Sequence, residues 1–453
     1  MKNLPENFKD KKVCVMGLGY VGLTFAVTLA DIGFEVFGVE VKDDILKKLV
    51  NGIPHFFEPG LQGTLKKVLK TKNLILSKKI PKKKDISVFI ITVGTPLKRD
   101  KKTNTVMIKN VCNEIKDNLR DKNLVILRST VEIGSTKNIC KKILNNANKK
   151  YEIAFCPERT LEGKAMNELR ILPQIIGSDN LSTRMRCSQF FSFITPTVVQ
   201  VSSLETAELI KLVDNCQRDV QFALSNEVAV ISDVVGVSAN EVISAGKLAY
   251  PRTNLPIAGP VGGPCLEKDS YILKNGLSKK RFLPSIIMNA RKFNESLPKI
   301  VLKKLDEYLK KIKINKNTIK ITLAGAAFKG QPETDDLRGT MAKPIYNELR
   351  QRFPRSKIKI FDPVVKSKQL KEFFNSEVST DLESSFRDMT LFIIANNHPL
   401  FSSMPISNLS GLMKKPGIIF DFWNNFSSRN ILFPEGINYL GLGELGLYLK
   451  ENE

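Results

Sequence analysis

The stretch Val13-Cys14-Val15-Met16-Gly17-Leu18-Gly19-Tyr20-Val21-Gly22 decides how the chain begins to fold. An apolar run breaks into a glycine turn, a helical pattern from Leu23 to Asp31 follows, and a second strand, Glu35 to Val39, ends in the acid Glu40. That order is a βαβ unit. A lone GxGxxG is a weak signal, but a strand before it, a helix after it and an acid closing the next strand make a dinucleotide-binding fingerprint. Gly17, Gly19 and Gly22 permit a tight turn and close approach of a pyrophosphate, which the helix N-terminus stabilises through its unpaired N–H groups. Glu40 at the strand end accepts from ribose hydroxyls and repels a ribose phosphate, so NAD is expected rather than NADP.

Outward from this unit the alternation continues, with apolar strands expected at Val88 to Val93, Leu124 to Leu127, Ile153 to Phe155 and Ile175 to Ile176. Each runs into polar residues facing a cleft, and Thr95-Pro96, Ser129-Thr130 and Pro157-Glu158-Arg159 are candidates to touch cofactor and substrate, because ligands bind at strand C-termini in open α/β sheets. From Ser202, with Glu205 as its capping-box partner, the chain runs without Gly or Pro to Val235. The pattern predicts one helix about 50 Å long at 1.5 Å per residue. Glu208, Lys211 and Asn215 share a face of it, a stripe that reads equally as solvated or functional.

Lys310 to Asn317 reads as a linker into a third unit. Ile319 to Ala324 is a fresh strand, Gly325 to Gly330 a degraded glycine turn, Met341 to Arg352 a helix, and Lys357 to Phe361 a strand ending in Asp362. A second βαβ start is implied, with a cleft opposite the first. Thr334-Asp335-Asp336-Leu337-Arg338 carries paired charges that either cap a helix or send Arg338 across that cleft. The expected fold class is α/β, with two Rossmann-like parallel-sheet domains, 1–200 and 313–453, joined by a helical middle, 201–312, built on the long helix.

Composition narrows the function classes. A chain of 453 residues that is 42% hydrophobic buries more than one core. No apolar run approaches a signal peptide or a membrane span, so a cytoplasmic protein is expected. Seven cysteines without paired spacing fit a reducing compartment, and two distant histidines, His55 and His398, with no CxxC pair argue against a metal site. The net charge is +24, yet the lysine stretches Lys78 to Lys84, Lys98 to Lys102 and Lys310 to Lys320 lack interleaved aromatics, which favours a solvated surface over nucleic acid as a partner. Cys265 stands out in Gly262-Gly263-Pro264-Cys265-Leu266-Glu267-Lys268-Asp269. Glycines before the thiol leave room for a substrate, and a neighbouring ammonium favours the reactive thiolate.

GLGYVG at 17–22, STV at 129–131, PER at 157–159, Lys211 with Asn215, GGPCLEKD at 262–269 and FKGQPETDDLR at 328–338 together resemble the UDP-glucose/GDP-mannose dehydrogenase family, the nucleotide-sugar 6-dehydrogenases, from Val13 to about Trp423. The resemblance implies NAD, a UDP-sugar substrate, a C-terminal domain gripping the nucleotide and a homodimer formed through the central long helix. It also implies a four-electron oxidation of a primary alcohol to a carboxylate. The intermediate aldehyde gives up no second hydride until a nucleophile adds to it, so Cys265 would form a thiohemiacetal and then a thioester that water cleaves.

By resemblance Lys211 and Asn215 stabilise the oxyanion, Asp269 with Thr130 and a held water serves proton transfer, and Glu158 assists thioester hydrolysis. The first-step base stays open between Lys211 and a water on Asp269. Cofactor contacts are implied for Gly17, Gly19, Tyr20, Val21, Gly22, Glu40, Lys42, Thr95, Thr130, Lys268 and Arg338. Substrate contacts are implied for Glu158, Arg159, Lys211, Asn215, Arg252, Gly262 and Lys329, with Arg252 serving the neighbouring subunit.

The chain departs from the family pattern in two places. Glu40 replaces a more usual aspartate, and Arg128 stands where an acid often precedes the Ser-Thr-Val run. Cys156 to Gly163 resembles the branch that oxidises UDP-N-acetylhexosamines, while Lys268-Asp269 is more similar to UDP-glucose enzymes. UDP-N-acetylmannosamine or UDP-N-acetylglucosamine is the favoured substrate and UDP-glucose the alternative. More distant readings are a single-step NAD-dependent hydroxyacid dehydrogenase and a basic nucleic-acid-binding protein.

Overall fold

The computed structural model describes residues 4–82, 84–278, 280–426 and 431–450; Lys83, within one of the lysine stretches, and both chain ends of the expected domains lie outside them. The chain packs into two compact units, the residues up to Asn215 together with Lys268–Leu283, and Cys216–Glu267 together with the chain from Pro284.

The first unit is built on eight strands: β1 (Lys12–Met16), β2 (Glu35–Val39), β3 (Leu74–Ser77), β4 (Val88–Ile91), β5 (Leu124–Leu127), β6 (Glu152–Phe155), β7 (Gln174–Gly177) and β8 (Val198–Val201). They are ordered β3-β2-β1-β4-β5-β6-β7-β8. All pairs from β3 to β6 are parallel. Side chains alternate between two cores. Val13, Val15, Ile90 and Ile126 pack with Phe25, Phe34 and Phe190 on one face, and Cys14, Met16, Phe89 and Leu127 with Ile108 and Ile115 on the other. A sheet covered on both faces needs apolar residues at every position, which is why these strands read as continuous apolar runs. The segment Ile175–Ile176 differs from expectation: β7 is antiparallel to β6, so its end, like that of its parallel neighbour β8, points away from the edge where β1 to β6 terminate.

The second unit repeats the plan with β9 (Lys320–Ala324), β10 (Lys357–Phe361), β11 (Glu377–Val378), β12 (Leu391–Ile394), β13 (Gly417–Asp421) and β14 (Ile437–Gly441). Their order, β11-β10-β9-β12-β13-β14, is that of the first six strands of the other sheet, and every pair is parallel. In sequence between the sheets lie the helices Leu204–Val235, Ala239–Lys247, Gly263–Ser278 and Ser285–Lys311. The 32-residue helix Leu204–Val235 is the expected long one, but its cap is Ser203, whose hydroxyl accepts the Thr206 N–H at 3.1 Å. Glu205 is instead paired with Lys137 at 2.9 Å. Lys310 and Lys311 belong to the end of a helix, which shortens the expected linker. Among the described residues no helix is long and apolar enough to cross a membrane.

Candidate active site

The glycine turn after β1 has the geometry its sequence requires. Gly17 adopts φ +93°, and a Cβ on Gly22 would fall 1.8 Å from the Gly17 carbonyl oxygen, so neither position admits a side chain. Gly19, the N-cap of the helix Tyr20–Ile32, has open space where its Cβ would be, and Val21 sits in that helix's first turn. Glu40, buried, accepts the Leu18 N–H through Oε2 and the Lys42 N–H through Oε1, each at 3.0 Å. Its carboxylate is therefore aimed at the turn. An open glycine face, a helix N-terminus and an acid turned toward both fit the pyrophosphate and ribose of NAD. The Lys42 side chain is exposed. The Tyr20 hydroxyl donates to Glu58 and accepts the Gly163 N–H at 2.9 Å, so it ties the cofactor turn to the loop after Glu158. In the second unit Asp362 repeats the role of Glu40, its Oδ2 accepting the N–H groups of Ala326 and Ala327 at 2.7 and 2.9 Å.

At the C-terminal ends of β4 and β5, Thr95 Oγ1 donates to the Thr130 carbonyl at 2.5 Å. Next along, Arg128 is fully enclosed, its guanidinium 4.3 Å from the centre of the Phe25 ring. It donates to Gln174 Oε1 at 2.8 Å and to Glu158 Oε2 at 2.5 Å. Glu158 Oε1 takes the N–H groups of Arg159 and Thr160 at 2.8 and 2.9 Å. Burial disfavours the Glu158 anion, but the Arg128 charge and hydrogen bond, the Thr160 N–H and the charge of Lys211 outweigh it and hold the carboxyl below the usual range. Arg128 is thus the counter-ion of Glu158, which accounts for its place before Ser129. Glu158 is an anion at neutral pH, suited to accept hydrogen bonds and not to donate a proton.

On the long helix, Asn215 Nδ2 donates to Asp269 Oδ2 at 2.6 Å, and Lys268 Nζ lies 3.1 Å from Asp269 Oδ1. Asp269 is 1% exposed. Arg159 pairs with Asp214 at 3.0 Å. Lys211 is half-buried, and Glu208, one turn earlier, is not part of a solvated stripe. Glu208 is buried and accepts from the N–H groups of Gly134 and Thr136 and from Thr136 Oγ1, which anchors the loop that follows Thr130. Burial pushes its carboxyl up to about 7 against these three donors, which favour the anion. A group raised in the folded state contributes stability that is present below its ordinary pKa and is lost as pH rises through the raised value. Glu208→Gln is therefore expected to remove on the order of 2–3 kcal/mol from the fall in stability between pH 5 and pH 8. Urea unfolding at the two pH values checks this, and an unaltered difference would contradict it.

The second unit carries Cys265 in the first turn of the helix Gly263–Ser278, four residues before Asp269 on that helix. The positive end of a helix dipole stabilises a thiolate. The other six cysteines are buried and Cys265 is exposed. The expected room beside the glycines is filled by protein. A Cβ on Gly262 would lie 2.2 Å from the Gly339 carbonyl oxygen, and one on Gly263 2.3 Å from the Phe328 ring. On their Cβ side these glycines admit the 328–339 segment. Lys329 Nζ stands 5.3 Å over the Phe328 ring. Thr334 to Arg338 forms no helix; the helix Ala342–Arg352 has Met341 at its N-cap, and Thr340 before it accepts the Ala342 N–H at 3.1 Å. Arg338 folds back on Asp336, with Nε at 2.8 Å from Oδ2. Arg252 is exposed and donates to the Tyr250 hydroxyl at 3.0 Å.

Within the first unit the structure thus gathers Gly17, Gly19, Gly22 and Glu40, then Thr95 with Thr130, then Glu158 and Lys211, then Asn215, Lys268 and Asp269. Glu58, Gln174 and the buried state of Glu208 escaped the sequence reading, as did the helix that begins at Gly263. Only the last had a signal, Pro264, which suits a first helical turn.

Three family models match the chain: the NAD binding domain of the UDP-glucose/GDP-mannose dehydrogenase family over residues 11–195, its central domain over 205–296 and its UDP binding domain over 322–428. The UDP-N-acetyl-D-mannosamine dehydrogenase of Methanococcus vannielii is 31% identical over 415 residues, 90% of this chain and 91% of that protein. The enzyme of the same name from Campylobacter jejuni is 32% identical over 381 residues, 80% of this chain and 88% of that one. The structure of the UDP-D-ManNAc dehydrogenase from Pyrococcus horikoshii superimposes with a TM-score of 0.86 at 28% identity, covering 96% of this chain and all of that one.

Proposed function

Because the chain belongs to the UDP-glucose/GDP-mannose dehydrogenase family, and so is an NAD-dependent nucleotide-sugar dehydrogenase with a UDP-binding domain, we propose that it oxidises carbon 6 of a UDP-N-acetylhexosamine to the carboxylate. UDP-N-acetylmannosamine is the first choice, supported by relatives of that name at about 30% identity, and UDP-N-acetylglucosamine the second. The observation that carries the reaction is an exposed Cys265 in a helix's first turn with buried Asp269 one turn further on.

NAD, when bound, would take up one hydride from carbon 6, so that the two oxidations use two NAD molecules in succession. Gly17, Gly19, Tyr20, Val21 and Gly22 would hold its pyrophosphate at the turn and helix start and Glu40 its ribose, with Thr95, Thr130, Lys42, Lys268 and Arg338 completing the set. In the first oxidation the alcohol loses a hydride from carbon 6 and its hydroxyl proton, the latter to Lys211 in its amine form or to a water held by Asp269, leaving an aldehyde. The Cys265 thiolate then adds to the aldehyde carbon, forming a C–S bond and an oxyanion stabilised by Lys211 and Asn215. Loss of the second hydride gives a thioester. Water, ordered by the anionic Glu158, attacks the thioester carbonyl; the C–S bond breaks and the thiolate is restored. Arg159, Arg252, Gly262 and Lys329 are assigned to the nucleotide sugar.

The same proposal divides the chain at 1–200, 201–312 and 313–453 and makes it a homodimer through the long helix. Leu224, Ile231, Val234 and Val235 of that helix, with Val242 and Leu248 after it, leave apolar side chains exposed, and a second copy covers them. Arg252 then serves the neighbouring subunit's site.

Incubation of the enzyme with limiting UDP-N-acetylmannosamine and excess NAD is expected to yield two NADH per sugar, read by absorbance, with the uronate as product. One NADH per sugar with release of an aldehyde would exclude the thioester route. A strong preference for UDP-glucose across a panel of UDP-sugars would exclude the hexosamine assignment.

A further inference from the structure

Four buried polar side chains that no step above uses lie behind the segment leading to Cys265. Asp219 and Asn226 come from the helix Leu204–Val235, Arg291 and Asn294 from the helix Ser285–Lys311, and none is more than 1% exposed. Arg291 donates from Nη1 to Asp219 Oδ1 at 3.0 Å and to the Leu266 carbonyl at 3.1 Å, and from Nη2 to the Val261 carbonyl at 3.1 Å. Asn294 Nδ2 donates to Asp219 Oδ1 at 2.8 Å and to the Asp219 carbonyl at 2.9 Å. Asn226 donates to Asn294 Oδ1 at 2.9 Å, and it both accepts the Gly259 N–H at 2.8 Å and donates to the Gly259 carbonyl at 3.1 Å.

Burying a guanidinium is costly even when it is paired, and apolar side chains would join two helices without that cost. What these four groups add is a grip on Gly259, Val261 and Leu266, the backbone on either side of Gly262 to Cys265. The segment is held from its other side as well, where the Gly263 N–H donates to the Gly339 carbonyl at 2.7 Å.

We propose that Arg291, oriented by Asp219 and Asn294, is a positioning residue for Cys265: its planar guanidinium holds the Val261 and Leu266 carbonyls together and so fixes where the helix's first turn presents the sulfur. Lysine, with one tetrahedral nitrogen, does not span two carbonyls and a carboxylate in one plane. Displacement of a reacting atom by about 1 Å is worth up to about a hundredfold in rate. The proposal rests on Cys265 being the nucleophile, and the two fail separately, since Cys265→Ser tests the nucleophile and the variants below test its support.

The test uses full-length Arg291→Lys and Asn226→Ala, with kcat and KM measured on NAD and UDP-N-acetylmannosamine. Alkylation of Cys265 by iodoacetamide is followed by mass spectrometry without substrate. For Arg291→Lys the expected result is a kcat at least tenfold lower, both KM values within about threefold of the parent, and alkylation at pH 7 slowed at least threefold. Asn226→Ala moves the same readouts in the same direction by less. A folded Arg291→Lys with kcat within twofold of the parent overturns the proposal, as does a fall in kcat with unchanged alkylation, which marks a merely structural role. If Arg291→Lys does not fold, Asn226→Ala decides by the same criteria.

Discussion

Cys265→Ser is expected to lower steady-state turnover at least about 10³-fold while leaving the KM for the nucleotide sugar within a few-fold of the parent. The hydroxyl of serine is far less nucleophilic than a thiolate at neutral pH, and a helix's first turn that stabilises a thiolate does not ionise an alcohol with a pKa several units higher. The first oxidation involves no bond to sulfur, so a single-turnover experiment with the variant should still give up to one NADH per site, and the aldehyde should be captured by hydroxylamine. Turnover within tenfold of the parent, or two NADH per sugar from the serine variant, would exclude the covalent route and favour a single-step dehydrogenase.

The second large effect is on stability. Arg128→Met leaves the buried Glu158 without its hydrogen-bonded counter-ion, a change expected to cost about 3–5 kcal/mol at neutral pH. For a unit of this size that lowers the melting temperature by roughly 10 °C. The pH dependence gives the assignment a sign. With Arg128 present the Glu158 carboxyl is depressed, so its contribution is present above its ordinary pKa and fades only as pH falls through the lowered value. Without Arg128, burial dominates and raises the carboxyl, so the deficit of the variant shrinks as the pH is lowered toward 5. Arg128→Met combined with Glu158→Gln restores much of the stability, since neither charge is then stranded, but not the turnover. Denaturant unfolding of the single and double variants across pH reads all of this, and a single variant within 1 kcal/mol of the parent would refute it.

How much of this was visible in the sequence depended on distance along the chain. The bounds of β2 and β5 were readable because strands covered on both faces are continuous apolar runs closed by turn residues, and those of β10 because Lys357 and Lys359 alternate with the buried Ile358 and Ile360. The acids Glu40 and Asp362 were readable as strand ends, and the structure adds that both turn back onto their glycine loops. Ile175–Ile176 is too short a run to carry a direction. The partnership of Arg128 with Glu158 joins residues 30 apart, and that of Arg291 with Asp219 residues 72 apart, so no local pattern announces either. The glycines before Cys265 were visible as a need for space but not as to what fills it, because Phe328 and Gly339 reach them from another part of the chain.

Through Tyr20, Glu58 and Gly163 the dinucleotide turn and the loop bearing Glu158 are one mechanical piece. Any shift of the backbone at Gly163 is therefore transmitted through the Tyr20 hydroxyl to the helix start that follows the glycine turn.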